Sequence, residues 1–571
     1  MDNINQPESD ARNEQELNEA NDSCHPTFRC IAPDGRTIEL RAAYKLNIPD
    51  ISGGILVAIG FLCLGFVIIS AIPLWPTDLW SHLSFGQWAV EHGRLATVDP
   101  FSCSDPQPIH TQSWWGSQLG GYYCLKWFGL DGLILLHAFF LALTAWIVIL
   151  CAWKNGASGV WGSIGAALFY LLGGSILLVI RPQIVGMAAF AWTLYCAYWL
   201  RTSWKPILTM IPVFIVWANC HGSFVMGIGL LGIFALGDSI ESLWRTRDRL
   251  LSPEAPWRYA RFWRTWVAIA VCTAAVCVNP SGAGLLLDVV QFSKTQSLEK
   301  ATEWMPLSWN NAPITLVSVV VSMLVLIPTL IASTQGRSQR RVNLTDGMAL
   351  IIFLAFAWFK LRLAIWYAII FPVLFLPLLE GIFTRKKDSI ESKSAPAAET
   401  ETEVAHPSPQ EVIPFKLCIA CSFIFIAVMW SAAFWGIILG GRPIEKQIGN
   451  QMPLKIAEYA QTQNLAGSFV ASEEWSDYIV FQTHGRMKPL SYGYFHLMPP
   501  HRTQEAATIF YGQPGWEELV EKLGIDYLVV QNRGLKKNSQ IFYPMLQSGK
   551  WDVILVDNPQ NVTEALLRRK R

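Results

Sequence analysis

Pro76-Thr-Asp78-Leu-Trp80-Ser-His82-Leu-Ser-Phe-Gly86-Gln-Trp88 follows directly on an apolar run at about 53–74 and continues to Val98-Asp99-Pro100-Phe101-Ser102. A loop that merely leaves a membrane needs no Asp, His, second Asp and Trp pair (Trp114, Trp115). Ionisable groups in or beside a membrane are costly, and they mark functional sites. The stretch therefore points to a membrane-spanning chain with a site just outside its first span.

The rest of the composition agrees. Of 571 residues, 52% are hydrophobic and 15% charged, against about 25% charged in soluble domains. Apolar runs of roughly 20 residues recur, each long enough to cross about 30 Å of hydrocarbon. Many of the 26 Trp stand at the ends of these runs, as interfacial anchors do. The net charge of +1 comes without a basic tract, so no nucleic-acid partner is expected. Most Cys fall inside apolar runs as small packing residues, and none has zinc-site spacing.

Eleven spans are expected, at about 53–74, 131–152, 159–180, 184–200, 206–220, 223–244, 266–280, 313–333, 346–360, 363–383 and 416–438. Charge placement supports the count. With a cytoplasmic N-terminus, the inner connections carry Lys154; Arg201 and Lys205; six Arg from Arg245 to Arg264; Arg337, Arg340 and Arg341; and Arg385, Lys386 and Lys387. The outer connections are nearly bare, which is the positive-inside asymmetry. An odd number of spans puts the C-terminal region outside the cytoplasmic (inner) membrane.

The expected organisation is a disordered cytoplasmic tail (1–50), a transmembrane core (51–383) with its first outer loop at 75–130, and a flexible cytoplasmic linker (384–415). A last span (416–438) and an extracytoplasmic domain (440–571) follow. In that domain, helical periodicity at 453–463 and 516–522 alternates with strand-like runs at 467–471, 526–531 and 551–556. The alternation predicts one small α/β domain.

This topology collects polar residues at the outer turns. They are Asp78, His82 and Asp99; Arg181; Asn219 and His221; Asn279; Glu303; and Lys360 with Arg362. Each has a plainer explanation. Asp78 could cap a helix starting near Trp80, Asp99-Pro100 could be a turn, His221 could cap a turn, and a lone Arg can snorkel to lipid headgroups. Together, carboxylates and cations at one depth suit chemistry on an anionic lipid-linked group. Arg and Lys hold phosphate, and a carboxylate can take a proton from an attacking hydroxyl. Trp114 and Trp115 suit stacking on a sugar or anchoring at the interface.

The pattern Asp78-x-Trp80-x-His82-Leu-x-x-Gly86-x-Trp88, Asp99-Pro-Phe-Ser102 and Trp114-Trp115 resembles the first outer loop of bacterial membrane glycosyltransferases of the GT-C superfamily. The resemblance continues through Arg181-Pro-Gln, Trp217-Ala-Asn-Cys-His221-Gly, Val278-Asn-Pro280-Ser-Gly282, Thr302-Glu-Trp304 and Leu361-Arg362-Leu-Ala364. In the tail it includes Ser472-Glu-Glu-Trp475, Gly515-Trp516-Glu-Glu-Leu and Gly524-Ile-Asp-Tyr527. The chain departs from that pattern in two places. Asp78 is followed by Leu79 rather than a second acid, and Leu490-Ser-Tyr-Gly-Tyr494 replaces an expected Asp-Gly-Arg segment.

The resemblance implies a GT-C-like helical core that transfers a sugar outside the membrane, from a polyprenyl-phosphate donor to a glycan, lipid or protein acceptor. It implies Asp78 as the leading catalytic carboxylate and Asp99 as the second candidate. Arg181, His221 and Arg362 would contact donor phosphate or acceptor, with His82, Glu303, Lys360, Trp114 and Trp115 as further substrate contacts. The resemblance makes no cofactor certain and leaves a divalent cation open. Asp78, Asp99 and Glu303 offer oxygen ligands to a divalent cation, but the sequence alone does not bring them together. The alternatives are a transporter or flippase for a lipid-linked substrate, with ionisable groups near the midplane, and a non-catalytic scaffold with a binding tail.

Overall fold

The computed structural model describes residues 27–31, 37–41, 52–75, 77–109, 113–247, 260–292, 302–338, 342–391, 409–448, 452–532, 537–558 and 562–570. Every apolar run forms helix. In order these are α1 (Gly53–Ala71), α2 (Leu79–His92), α3 (Trp115–Lys154), α4 (Gly159–Gly173), α5 (Gln183–Leu200), α6 (Pro206–Cys220) and α7 (Phe224–Arg245). Then come α8 (Ala260–Val276), α9 (Gly284–Phe292), α10 (Pro313–Thr334), α11 (Leu344–Phe359), α12 (Ala364–Glu391), α13 (Pro409–Trp430) and α14 (Ala432–Ile438).

Among the described residues, seven helices are long and apolar enough to cross a membrane, or eight if the 65° bent pair of α13 and α14 counts as one span. Three expected spans are shorter: Pro206–Cys220, Phe262–Val276 and Leu344–Phe359. At 1.5 Å per residue, helices of about 15 residues fall short of a 30 Å hydrocarbon core. α8 also ends before the expected limit of 280. Its last turn gives way to the Asn279-Pro280 turn, where proline disfavours helix in the residue before it.

Two other boundaries differ from expectation. α3 is two helical arms joined at Gly129, whose φ 66° and ψ −166° are non-helical and open freely to glycine alone; the span expected from 131 starts at this break, and an arm from Trp115 precedes it. The loop expected at 75–130 therefore contains α2 and the first arm of α3. α12 continues through the expected linker to Glu391, and α13 begins at Pro409, so the remainder of that linker lies outside the described residues. In the polar N-terminal stretch, β1 (Thr27–Ile31) pairs antiparallel with β2 (Thr37–Arg41). The rest of the expected disordered tail lies outside the described residues.

The core is organised around α12, whose run Ile365–Phe371 is buried on all sides. That is the expected place for a helix apolar all round. At the far end of α5 from Arg181, Arg201 donates to Asp238 through Nη2 (2.8 Å) and Nε (3.1 Å), and Thr345 Oγ1 donates to the same carboxylate at 2.6 Å. Arg264 Nη1 donates to the Arg201 carbonyl at 3.1 Å. These bonds lock α5, α7, α8 and α11 at the end away from the first loop.

The C-terminal region is an α/β domain. Five strands, β3 (Gly467–Val470), β4 (Met487–Pro489), β5 (Tyr527–Gln531), β6 (Trp551–Val556) and β7 (Glu564–Arg569), form one sheet in the order β4-β3-β5-β7-β6. β3 is parallel to β4 and β5, while β7 is antiparallel to β5 and β6. The expected helices and strands appear at Leu454–Thr462, Gly467–Val470, Trp516–Leu523, Tyr527–Gln531 and Trp551–Val556. The helix Glu473–Gln482 and the strands β4 and β7 are additional. β7 lies inside the sheet with Ala565–Leu567 fully buried, although the sequence around it is strongly basic.

The domain docks on the first loop. α2 is buried along nearly its whole length, and Trp80, Leu83 and Phe85 share one apolar cluster with Tyr478, Met487 and Tyr492 of the domain. The Trp80 and Tyr478 rings meet edge to face at 4.8 Å. A polar anchor adds to this. Asp131 accepts from Arg442 Nε at 2.7 Å and from Gln447 Nε2 at 2.8 Å, and Leu74 N donates to the Gln447 carbonyl at 2.7 Å. Cys103 and Cys124 are both free thiols.

Asp131 is 2% exposed and Arg442 14%. Removing one partner of such a buried pair typically costs about 3–5 kcal/mol. Arg442→Ala should therefore lower the melting temperature of the detergent-solubilised protein and release the C-terminal domain to limited proteolysis. An unchanged digestion pattern would count against the anchor.

Candidate active site

Backbone contacts build the site. Trp75 and Val179 form an isolated parallel bridge. It brings the end of the first span beside the turn before α5, and so Asp78 beside Arg181. A second pair of backbone bonds, Leu361 N to Met305 O (3.0 Å) and Leu307 N to Trp358 O (3.2 Å), joins the 3₁₀ turn Thr302–Trp304 to the 3₁₀ turn Leu361–Leu363. This brings Glu303 beside Arg362. His221 ends α6 and closes the ring from the other side.

The side chains form one continuous chain of contacts. Asp78 Oδ1 accepts from Thr77 Oγ1 (2.8 Å) and Arg181 Nε (3.1 Å). Arg181 Nη1 pairs with Glu303 Oε2, and Glu303 Oε1 accepts from Arg362 Nη1 at 2.5 Å. Arg362 Nη2 lies 3.3 Å from His221 Nε2, and the guanidinium sits over the Trp304 ring at 5.5 Å. His221 Nδ1 meets Ser223 Oγ at 2.8 Å. On the other side of Asp78, Oδ2 faces His82 Nε2 at 3.9 Å. Asp78 occupies the N-cap position of α2 but makes no side-chain cap bond, so it is not acting as a helix cap.

Burial and charge set the protonation states. The ionic side chains are only 17–25% exposed. Burial alone would raise the Asp78 carboxyl; Arg181, His82, Arg362 and the Thr77 hydroxyl outweigh it and hold the group well below the usual carboxylate range. Burial pushes the His82 imidazole down to about 4 against the pull of Asp78. Burial and Arg362 hold His221 well below 6.5. The cluster is thus two guanidinium cations and two carboxylate anions, flanked by two neutral imidazoles.

The structure therefore brings together Asp78, His82, Arg181, His221, Glu303 and Arg362. It does not bring Asp99 into this network. Asp99 Oδ1 accepts from Phe101 N at 2.9 Å, in the turn that Asp99-Pro100 suggests, and burial raises its carboxyl beside Tyr492. Trp115 is a brace, donating to Asn219 Oδ1 at 2.6 Å. Lys360 makes no side-chain hydrogen bond or ion pair among the described residues. Trp114 lines a pocket next to the cluster with Phe85, Trp115, Gln118, Tyr494 and His496, and its ring lies 6.4 Å from that of His82. Asp78 and Glu303 are each engaged by arginine and Asp99 lies in its own turn. Among the described residues no group of three or more His, Cys, Asp or Glu converges as a metal would need.

Tyr494 and His496 come from the C-terminal domain. The Tyr494 hydroxyl accepts from Gln118 Nε2 at 2.8 Å and lies 2.7 Å from His82 Nδ1. The His496 ring sits 5.1 Å from Trp114, and burial with His82 nearby holds it down to about 3. Both belong to the region where the sequence lacks the expected Asp-Gly-Arg segment. The only sequence signal was the aromatic run Tyr492-Gly-Tyr494-Phe-His496 itself.

No family model and no curated protein matches the chain. Solved structures do. The apo crystal structure of the Archaeoglobus fulgidus oligosaccharyltransferase is similar at 12% identity and a TM-score of 0.50, over 83% of this chain and 69% of that one. The cryo-EM structure of the arabinofuranosyltransferase AftD from Mycobacteria is similar at 14% identity and a TM-score of 0.52, over 92% of this chain and 40% of that one. At these identities the likeness is one of fold. It covers the helical membrane core and the C-terminal sheet domain expected from the sequence.

The buried histidines make a pH prediction. The folded pKa of His82 lies below the unfolded value of 6.5. As pH falls through 6.5 the unfolded chain takes up a proton that the folded chain refuses, so stability drops towards about pH 4 and then levels. His221 and His496 act with the same sign. The melting temperature should fall between pH 7 and pH 5, and His82→Gln should fall less; an equal slope in both would show that His82 does not contribute.

Proposed function

We propose that this chain is a membrane glycosyltransferase that moves a sugar from a polyprenyl-phosphate donor to a hydroxyl of a glycan, lipid or protein acceptor. The reaction takes place on the outer side of the cytoplasmic membrane. The positive-inside pattern supports a cytoplasmic N-terminus and an extracytoplasmic C-terminal domain. The observation that carries the reading is the Asp78–Arg181–Glu303–Arg362 cluster at one end of the bundle. The groups needed to take a proton and to hold a phosphate stand in contact there. A transporter would place them near the midplane on interrupted helices, and a scaffold has no use for a buried two-arginine cluster.

In the proposed reaction the acceptor hydroxyl binds Asp78 Oδ2, the oxygen not held by Arg181 or Thr77. Its oxygen attacks the anomeric carbon while the bond from that carbon to the lipid phosphate breaks, the electron pair staying on phosphate oxygen. Arg181 and Arg362 meet the charge that develops there; each guanidinium carries five N–H donors, more than the cluster engages. The hydroxyl proton passes to Asp78. A carboxylate held this far below its usual range is a weak base. It suffices because an oxygen bonding to an oxocarbenium-like centre becomes strongly acidic as the bond forms. One displacement of this kind inverts the anomeric centre.

The test is transfer by purified protein from a panel of polyprenyl-phosphate sugars. Asp78→Asn should cut kcat by about 10²–10⁴-fold while leaving folding intact. Arg362→Lys, which cannot reproduce a planar two-point contact, should weaken donor binding. Near-wild-type product from Asp78→Asn would remove Asp78 from the catalytic role.

A further inference from the structure

We propose that Tyr494, carried by the C-terminal domain, is a positioning residue for the transfer reaction: its hydroxyl fixes the His82 ring so that Nε2–H faces Asp78. The proposal rests on the glycosyltransferase reading. Tyr494 follows β4 on a segment held by Gly493 N, which donates to Asp477 Oδ1 at 2.9 Å. A side chain at Gly493 would press on the Asp477 carboxylate that holds this segment. The Tyr494 ring is buried, stacked on Phe85 at 4.8 Å and edge-on to His82 at 5.2 Å.

The hydrogen-bond directions then follow in sequence. The Gln118 amide N–H donates to the Tyr494 oxygen. The phenol, pushed well above its ordinary range by burial, keeps its proton and directs it to His82 Nδ1, 2.7 Å away. A neutral imidazole has one ring hydrogen, so His82 carries it on Nε2, towards Asp78 Oδ2 at 3.9 Å.

This tautomer decides which group takes the acceptor's proton. With Nε2 bare, His82 would compete for it as a stronger base than Asp78. With Nε2 protonated, His82 can only donate, so Asp78 is the acceptor and both of its oxygens are oriented. The Oδ1 side is held by Thr77 and Arg181 and the Oδ2 side faces His82. The site is then complete only with the C-terminal domain docked.

The experiment uses full-length protein labelled with ¹⁵N-histidine, with His82→Gln to assign the signals. Wild-type His82 should show a bare Nδ1 and a protonated Nε2. Tyr494→Phe keeps the ring stacking and removes only the hydroxyl. It should mix the two tautomers and lower kcat by about 10-fold or more, in line with other outer-sphere partners of histidine. Donor KM should stay within about 2-fold, because the hydroxyl does not contact the phosphate site. Gln118→Leu should move both readouts the same way. A protonated Nδ1 in the wild type, or Tyr494→Phe with unchanged tautomer and kcat, overturns the proposal. If the wild type transfers no sugar from any polyprenyl-phosphate donor, the functional reading fails, while the nitrogen signals still decide whether Tyr494 orients His82.

Discussion

Arg181 is held between two carboxylates that come from different parts of the chain. Asp78 ends the first span's exit, and Glu303 sits on a short 3₁₀ turn after α9. Without the guanidinium, two buried anions would share one site, and at least one would have to take up a proton. Arg181 in turn stands where it does because Val179 bridges to Trp75. The ion pairs and the backbone bridge fix the same arrangement. Arg362 extends it by engaging the second oxygen of Glu303. Once these groups are placed, the arrangement of this end of the bundle follows.

α2 is the second constraint. It leaves the membrane end at Asp78 and is buried on one side by α3 and on the other by Tyr478, Phe481 and Tyr494 of the C-terminal domain. A helix enclosed in this way cannot shift without moving both bodies, since close-packed interiors transmit displacement rather than absorb it. Asp78 and His82 stand on its first turn. The geometry of the candidate site therefore depends on the docking of a domain far away in sequence.

Much of this was legible from the chain. Apolar runs and charge asymmetry located the helices, and listing the polar residues of the outer turns put Asp78, Arg181, His221, Glu303 and Arg362 on one surface. Depth, however, does not tell which way a side chain points. Lys360 and Arg362 stand two residues apart, yet Arg362 alone reaches Glu303. Asp99 turns into its own backbone, and Trp115 braces Asn219. Tyr494 was hidden for another reason: its partner His82 lies 412 residues earlier, and the motif that would have drawn attention to the segment is absent. β7 was hidden by its own composition, a run that ends in Arg568 and Arg569 while its first residues fill the middle of a sheet. α6 matches its expected limits and α11 nearly so, while α8 is shifted towards its N-terminus because the Asn279-Pro280 turn stops the helix where hydropathy alone does not.

The charge balance of the cluster connects the two halves of the proposed reaction. At rest the two guanidiniums are matched by two carboxylates. A lipid-linked sugar phosphate is a diester with one negative charge, and cleavage of its bond to the sugar leaves a monoester that gains a second. In the same event Asp78 receives the acceptor's proton and loses its charge. The attraction between Asp78 and Arg181 weakens as the leaving phosphate becomes more anionic, so the guanidinium is freed for the phosphate when the charge appears. Such an arrangement stabilises the transition state more than the resting complex, which is the condition for accelerating the chemical step rather than merely tightening binding. It also accounts for a carboxylate of low basicity here: in the resting protein Asp78 serves to hold Arg181 in place, and its proton affinity rises only as the phosphate draws that arginine away.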